Sequence, residues 1–150
     1  MPVLVIGSIA LDTTETPFGT ANEVLGGAGS YFSLAASVLT PVRLVGVVGA
    51  DLPEQHLQTL RSRGVDLEGL QRVANGKTFR WVGRYEYDMN VAHTLDTQLN
   101  VFGDFQPQLP SSYRDTEYVY LANITPRLQL EVLDQVESPR FVGLDSMNFW

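Results

Sequence analysis

The side chains best suited to chemistry are Asp12, Asn123, Asp145 and Asn148, each just beyond a run of apolar residues. A carboxylate only accepts hydrogen bonds, so Asp12 can take them from two neighbouring hydroxyls, as recognition of a polyol demands. A lone Asp serves equally well as a loop cap, and the other three can cap helices or Asx-turns as readily as they read hydroxyls. Gly26-Gly27-Ala28-Gly29 opens a helical stretch. Paired glycines let a backbone approach a ligand closely or bend as a hinge, and the first N–H groups of a helix attract oxygen, although such a pair can also be only a tight turn. The cluster is not a dinucleotide fingerprint, because the third glycine position of G-x-G-x-x-G is Phe32, and Gly76-Lys77-Thr78 is not a P-loop, because the required earlier glycine is Gln71. His56 and His93 lack the spacing of metal ligands, so no metal site is expected. Glu15, Glu23, Asp134 and Glu137 read as solvated charges.

Four short apolar runs must position these groups. Val3–Ile6, Val42–Val48, Tyr118–Leu121 and Phe141–Leu144 are nearly continuous in hydrophobicity, as parallel strands covered on both faces are. The first is extended to Ile9, stopping at Asp12. Helical periods fall between the runs, at Ser30–Leu39, Glu54–Arg63 and Arg127–Val136, with Gly64 as a stop and Thr125-Pro126 as a start. The alternation predicts an α/β fold: a mostly parallel sheet flanked by helices, whose ligands bind at the carboxyl ends of the strands. Leu70–Phe102 breaks the rhythm. Phe79 to Tyr87 alternates, turns near Asp88-Met89-Asn90 and returns, as a β-hairpin does; the hairpin is either extra sheet or a lid.

Composition narrows the function classes. A chain of 150 residues with 44% hydrophobic side chains can bury a core without staples, and the absence of cysteine removes thiol catalysis and zinc-finger chemistry. A formal charge of −7 argues against the basic footprint of a nucleic-acid binder. No window reaches the length of a membrane helix, and Met1-Pro2-Val3 lacks a basic signal-peptide region, so a cytoplasmic protein without membrane partners is expected.

Three segments in order, Val5-Ile6-Gly7-Ser8-Ile9-Ala10-Leu11-Asp12, Gly26-Gly27-Ala28-Gly29-Ser30-Tyr31-Phe32-Ser33-Leu34-Ala35 and Leu44-Val45-Gly46-Val47-Val48-Gly49-Ala50-Asp51, resemble the amino-terminal half of the ribokinase-like (PfkB) family of carbohydrate kinases. The resemblance runs over all 150 residues. It implies a Rossmann-like domain with a small β-sheet lid formed by segments near 10–25 and 70–102, and transfer of the γ-phosphoryl of ATP, with Mg2+, to a hydroxyl of a sugar or nucleoside. It also implies that Asp12 holds substrate hydroxyls, that Gly26 and Gly27 hinge the lid and bring backbone to the substrate, and that Asn123, Asp145 and Asn148 line the same ligand edge. In many members the lid is a homodimer clasp.

Two departures bear on the substrate. Ribokinases proper carry Asn where this chain has Ala10 and again where it has Tyr31, so two hydroxyl-reading amides are replaced; Tyr31 can stack on a ring or offer its own hydroxyl. The family's catalytic base and nucleotide-binding segments lie in a carboxyl-terminal half without counterpart among these residues, so no catalytic residue is assigned and the chain alone is expected to be inactive. Phe141–Leu144 reads as a strand with two buried faces, yet only Asp145 to Trp150 follows it, which suggests a truncated kinase. A non-catalytic sugar-binding or interaction module is the alternative.

Overall fold

The computed structural model describes residues 1–146. Strands β1 (Val3–Ile6), β4 (Val42–Gly49), β5 (Val65–Asp66), β6 (Leu70–Val73), β9 (Tyr118–Leu121) and β10 (Phe141–Leu144) form a six-stranded parallel sheet in the order β10-β9-β1-β4-β5, with β6 also on β4. The eight residues of β4 serve two neighbours, Val42 and Arg43 pairing with β5 and Gly46 to Gly49 with β6. Helices α1 (Ala28–Ala36), α2 (Glu54–Ser62) and α3 (Pro126–Leu133) fall where the apolar periods place them, within three residues at each end. At the start of α3, Thr125 accepts from the Leu128 N–H and Pro126 occupies the first turn, where its missing N–H costs nothing.

The central strands β1 and β4 are apolar but for Arg43 because both faces are covered. On one face Leu4, Ile6, Val45, Val47, Val119 and Leu121 pack under α3 and the segment carrying Phe105, Leu109 and Tyr113. On the other, Val5, Leu44 and Val48 pack with Leu57 and Leu60 of α2 and the edge of α1. The edge strand β10 departs from the sequence expectation of two buried faces. It pairs only with β9 among the described residues, and Phe141 and Leu144 are 64% and 58% exposed.

A second sheet stands beside the first. Strands β2 (Ala10–Thr16), β3 (Gly19–Gly26), β7 (Phe79–Tyr85) and β8 (Ala92–Gln98) run in the order β3-β2-β7-β8, two antiparallel hairpins joined by a parallel β2–β7 pairing. Two expectations are corrected by this sheet. The first strand does not run on to Ile9; it ends at Ile6, and Asp12 lies inside β2, because Gly7 and Ser8 turn the chain out of the parallel sheet. Nor is Leu70–Phe102 one insertion. Leu70–Val73 hydrogen-bonds in parallel to the end of β4, and Asn100–Phe102 is a short helical turn, so the hairpin proper is Phe79 to Gln98.

The root of that hairpin is fastened to the central sheet through Thr78, which is fully buried. Its hydroxyl accepts from the Gly49 N–H at 3.0 Å and donates to Asp51 Oδ1 at 2.8 Å, and its own N–H donates to the same carboxylate oxygen at 2.7 Å. Beside it, the Ala50 N–H donates to the Gly76 carbonyl, and the Asn100 amide donates to the Thr78 carbonyl. Thr78→Val keeps the shape and removes the hydroxyl, stranding the buried Gly49 donor, which costs about 1–3 kcal/mol. The urea midpoint is therefore expected to fall with an unchanged m-value, and an unchanged midpoint would show that this contact carries none of the hairpin's attachment.

Candidate functional site

The close approach of β2 to the turn before α1 creates the site. Asp12 pairs with Val24 across the β2–β3 hairpin, two residues short of Gly26, and its side chain folds back over that glycine. A Cβ at Gly26 would fall inside the Asp12 carboxylate, so only glycine leaves room for the group. Gly27 has φ +91° and sits against the Ser8 carbonyl, where a Cβ would again collide. Gly27 is therefore required by space and by backbone conformation, while glycine at 26 leaves the movable Asp12 carboxylate its place.

The first N–H groups around α1 are shared between Ser8 and Asp12. The Ser8 hydroxyl accepts from the Ala28 N–H at 3.0 Å, and its carbonyl accepts from the Gly29 N–H at 3.0 Å. The Gly27 N–H donates to the Asp12 carboxylate. Burial nevertheless outweighs that hydrogen bond and pushes the Asp12 carboxyl up to about 6. A half-buried carboxylate with one backbone donor has lone pairs to spare for further donors.

Tyr31, in the first turn of α1, is 58% exposed and lies near Asp12. Burial, then the charges of Asp12 and Tyr85, hold its phenol above the usual tyrosine range. Register places Asp12 beside Trp81 on β7, and side chains alternate along a strand, so Asp12, Trp81 and Tyr85 share one face of the four-stranded sheet. Adjoining that face is a cleft of about 870 Å³ lined by Ser8, Phe79, Trp81, Phe102, Asn123 and Thr125 among others. The Trp81 indole N–H is taken by Thr94 at 3.1 Å, leaving its ring as apolar wall.

The structure thus brings Asp12, Gly26, Gly27 and Tyr31 together, with Asn123 in the adjoining cleft at the tip of β9. Asp145 follows β10 at the next tip, where its N–H donates to the Leu121 carbonyl at 2.9 Å. Its charge, after burial, raises the Tyr120 phenol, and Tyr120 stacks on Phe32 at 3.6 Å on the α1 side of the sheet. Asn148 lies outside the described residues.

Sequence reasoning missed two things. Ser8 was hidden because its role, capping α1 across 20 residues, depends on a turn no pattern announces. Glu15 and Glu23, expected to be solvated, are paired: Glu15 with Arg84 at 2.9 Å and Glu23 with Arg80 at 3.0 Å. Arg80 reaches Asp51 as well, at 2.7 Å. Burial opposes the charge on Asp51, but hydrogen bonds from Thr78 and Arg80 overcome it and hold the carboxyl below the usual range.

The Asp12 environment has a pH signature. The unfolded chain binds a proton at this position near the ordinary 3.8 and the folded chain near 6, so between those values the folded state holds more protons and stability falls as pH rises. Asp12→Asn removes that loss. The variant's Tm relative to the parent chain is expected to climb from pH 4 to pH 8 and to level off above the folded pKa; a difference independent of pH would mean that Asp12 titrates normally.

Comparison with known proteins adds the following. No family model matches the sequence. A cytidine kinase of Thermococcus kodakarensis is 28% identical over 142 residues, which is 93% of this chain and 50% of that enzyme. Among solved structures, a ribokinase of Cryptococcus neoformans in complex with ADP superposes with a TM-score of 0.80 at 20% identity, over 99% of this chain and 51% of the other. The Methanocaldococcus jannaschii nucleoside kinase, an archaeal ribokinase-family member, gives 0.75 at 16% identity over 98% and 52%. A Burkholderia thailandensis nucleoside kinase in complex with inosine gives 0.75 at 16% over 89% and 48%. The chain therefore spans about half the length of the relatives it matches.

Proposed function

From the ribokinase-like fold that this chain carries over half the length of its relatives, we propose that it is the acceptor-binding half, with lid, of a kinase that transfers the γ-phosphoryl of ATP to a hydroxyl of a nucleoside or sugar. The observation that carries the reading is the Asp12 carboxylate held over Gly26 and against the Gly27 N–H, on the sheet face whose Trp81 lines the neighbouring cleft of about 870 Å³. A half-buried anion with unused lone pairs binds vicinal hydroxyls through charge-assisted hydrogen bonds, and in doing so recovers the solvation it lost on folding.

Asp12 orients the hydroxyl-bearing ring, the Gly26-Gly27 backbone approaches it, and Tyr31 presents a phenol beside it. Asn123 supplies a polar contact from the neighbouring tip, with Asp145 and Asn148 further along the same edge. The four-stranded sheet of β2, β3, β7 and β8 closes as the lid, keeping water from the transfer. ATP and Mg2+ are assigned to the full-length protein. The residues of this chain bind and orient the acceptor. The relatives named for cytidine, for nucleosides and for ribokinase activity support a nucleoside or sugar as acceptor. The outer edge of the lid, β8, is exposed at every residue, which suits a homodimer clasp.

Calorimetric titration of the chain with cytidine, inosine and ribose tests the assignment. At least one is expected to bind, and Asp12→Ala to weaken it by about 10- to 100-fold, the worth of hydrogen bonds to a charged group. Equal affinity in parent and variant would remove Asp12 from the site, and no binding by any probe would favour an interaction module.

A further inference from the structure

The lid sheet and the central sheet meet at an ionic bridge that touches no part of the acceptor face. The Arg80 Nε and Nη2 both donate to Glu23 Oε1, at 3.1 and 3.0 Å, while Nη1 donates to Asp51 Oδ2 at 2.7 Å and to the Thr78 carbonyl at 3.2 Å. Glu23 belongs to β3 and Arg80 to β7, the two lid strands that flank β2; Asp51 belongs to the loop leaving β4 in the body. One guanidinium therefore ties both hairpins of the lid to the central sheet.

The backbone around Glu23 is distorted in a way that serves this contact. Glu23 has φ +48°, a conformation few non-glycine residues adopt, and the β2–β3 register shifts between Asp12 and Thr14. The Glu23 N–H is caught by the Thr13 hydroxyl at 3.2 Å, and its carbonyl meets His56 Nε2 of α2 at 3.2 Å. A bulge re-aims a side chain, and strain of this kind persists only where surrounding contacts enforce it. Here the bulge starts at Asp12 itself. Register puts Arg80 beside Leu11 and Asp12 beside Trp81, so the bridge occupies the back of the sheet while the carboxylate occupies the front.

The two halves of the bridge differ in strength. Asp51 uses both oxygens, taking two hydrogen bonds from Thr78 on one and one from Arg80 on the other, and its side chain is 30% exposed; that of Glu23 is 57% exposed and engages through a single oxygen. The exposed half is the more readily screened and broken.

Resting on the acceptor reading above, we propose that Arg80 is a positioning residue: anchored on Asp51, it holds Glu23 and thereby sets the angle at which the lid presents Asp12 to Gly26 and Gly27. Release of Glu23 is the step that frees β3 to swing about the glycine pair.

Two variants test it, Arg80→Lys, which keeps the charge but cannot bridge two carboxylates with planar geometry, and Glu23→Gln, an exposed near-isostere. Amide hydrogen exchange on the unliganded chain is expected to quicken at least tenfold in β2, β3 and β7 in both variants, with β1, β4 and β9 unchanged. The Asp12 carboxyl, followed by carbon-13 NMR, is expected to titrate closer to the ordinary range as it leaves its half-buried seat. Exchange and titration identical to the parent chain would overturn the proposal, as would exchange raised equally in the central sheet, which signals mere loss of stability. Cytidine, inosine and ribose titrations separate the two readings. If the parent chain binds none of them while the exchange and titration shifts occur, the acceptor assignment falls and the bridge stands; if it binds and both variants match it with unshifted exchange, only the bridge falls.

Discussion

The Asp12 carboxylate occupies the volume that a side chain at residue 26 would need, and the arrangement of the molecule follows from that exclusion. For the carboxylate to reach the Gly27 N–H, the chain must leave the central sheet at the end of β1, which Gly7 and Ser8 accomplish, and β3 must return to deliver the glycines directly into α1. Ser8, left at the turn, takes up the next two helix N–H groups. One carboxylate and one serine thus satisfy three of the four donors that an α-helix start leaves over. α1 has no side-chain N-cap because these two groups, arriving from β2 and the turn before it, replace one.

How much of this was written in the sequence depends on the range of the interaction involved. The four main parallel strands and three helices were legible because burial on two faces and helical periodicity leave local marks, and the Thr125-Pro126 start of α3 was local too. The two-residue β5 left no such mark; the polar β6 carries no apolar run, and only the Asn75-Gly76 turn after it signalled a strand ending at Val73, which the end of β4 completes as a ladder. β2 left no mark in the residue pattern, where Ile9, Ala10 and Leu11 continue the apolar run of β1, and only the family resemblance set a lid segment near residues 10–25.

The site residues divide along the same line. Asp12 stood out by its place after the first apolar run and the glycine pair by its place before a helix, and the structure brings them into contact. The pairing of Glu15 and Glu23 with arginines across the sheet was invisible, because a charge at a distance of 57 residues from its partner reads as a solvated charge until the β2–β7 register is known.

That register also ties Asp12 to a sheet only partly fused to the core. β2 is paired on both sides, by β3 and β7, so Asp12 cannot move alone; whatever tilts the sheet tilts the carboxylate with it. The sheet's firm attachment is at one corner, where Thr78 and Asp51 join the start of β7 to the end of β4 through a buried hydroxyl and a carboxylate. A body fixed at one corner and flexible at a glycine pair can rotate but not slide. Under the acceptor reading proposed above, rotation about that corner is the motion by which the sheet would close over the site.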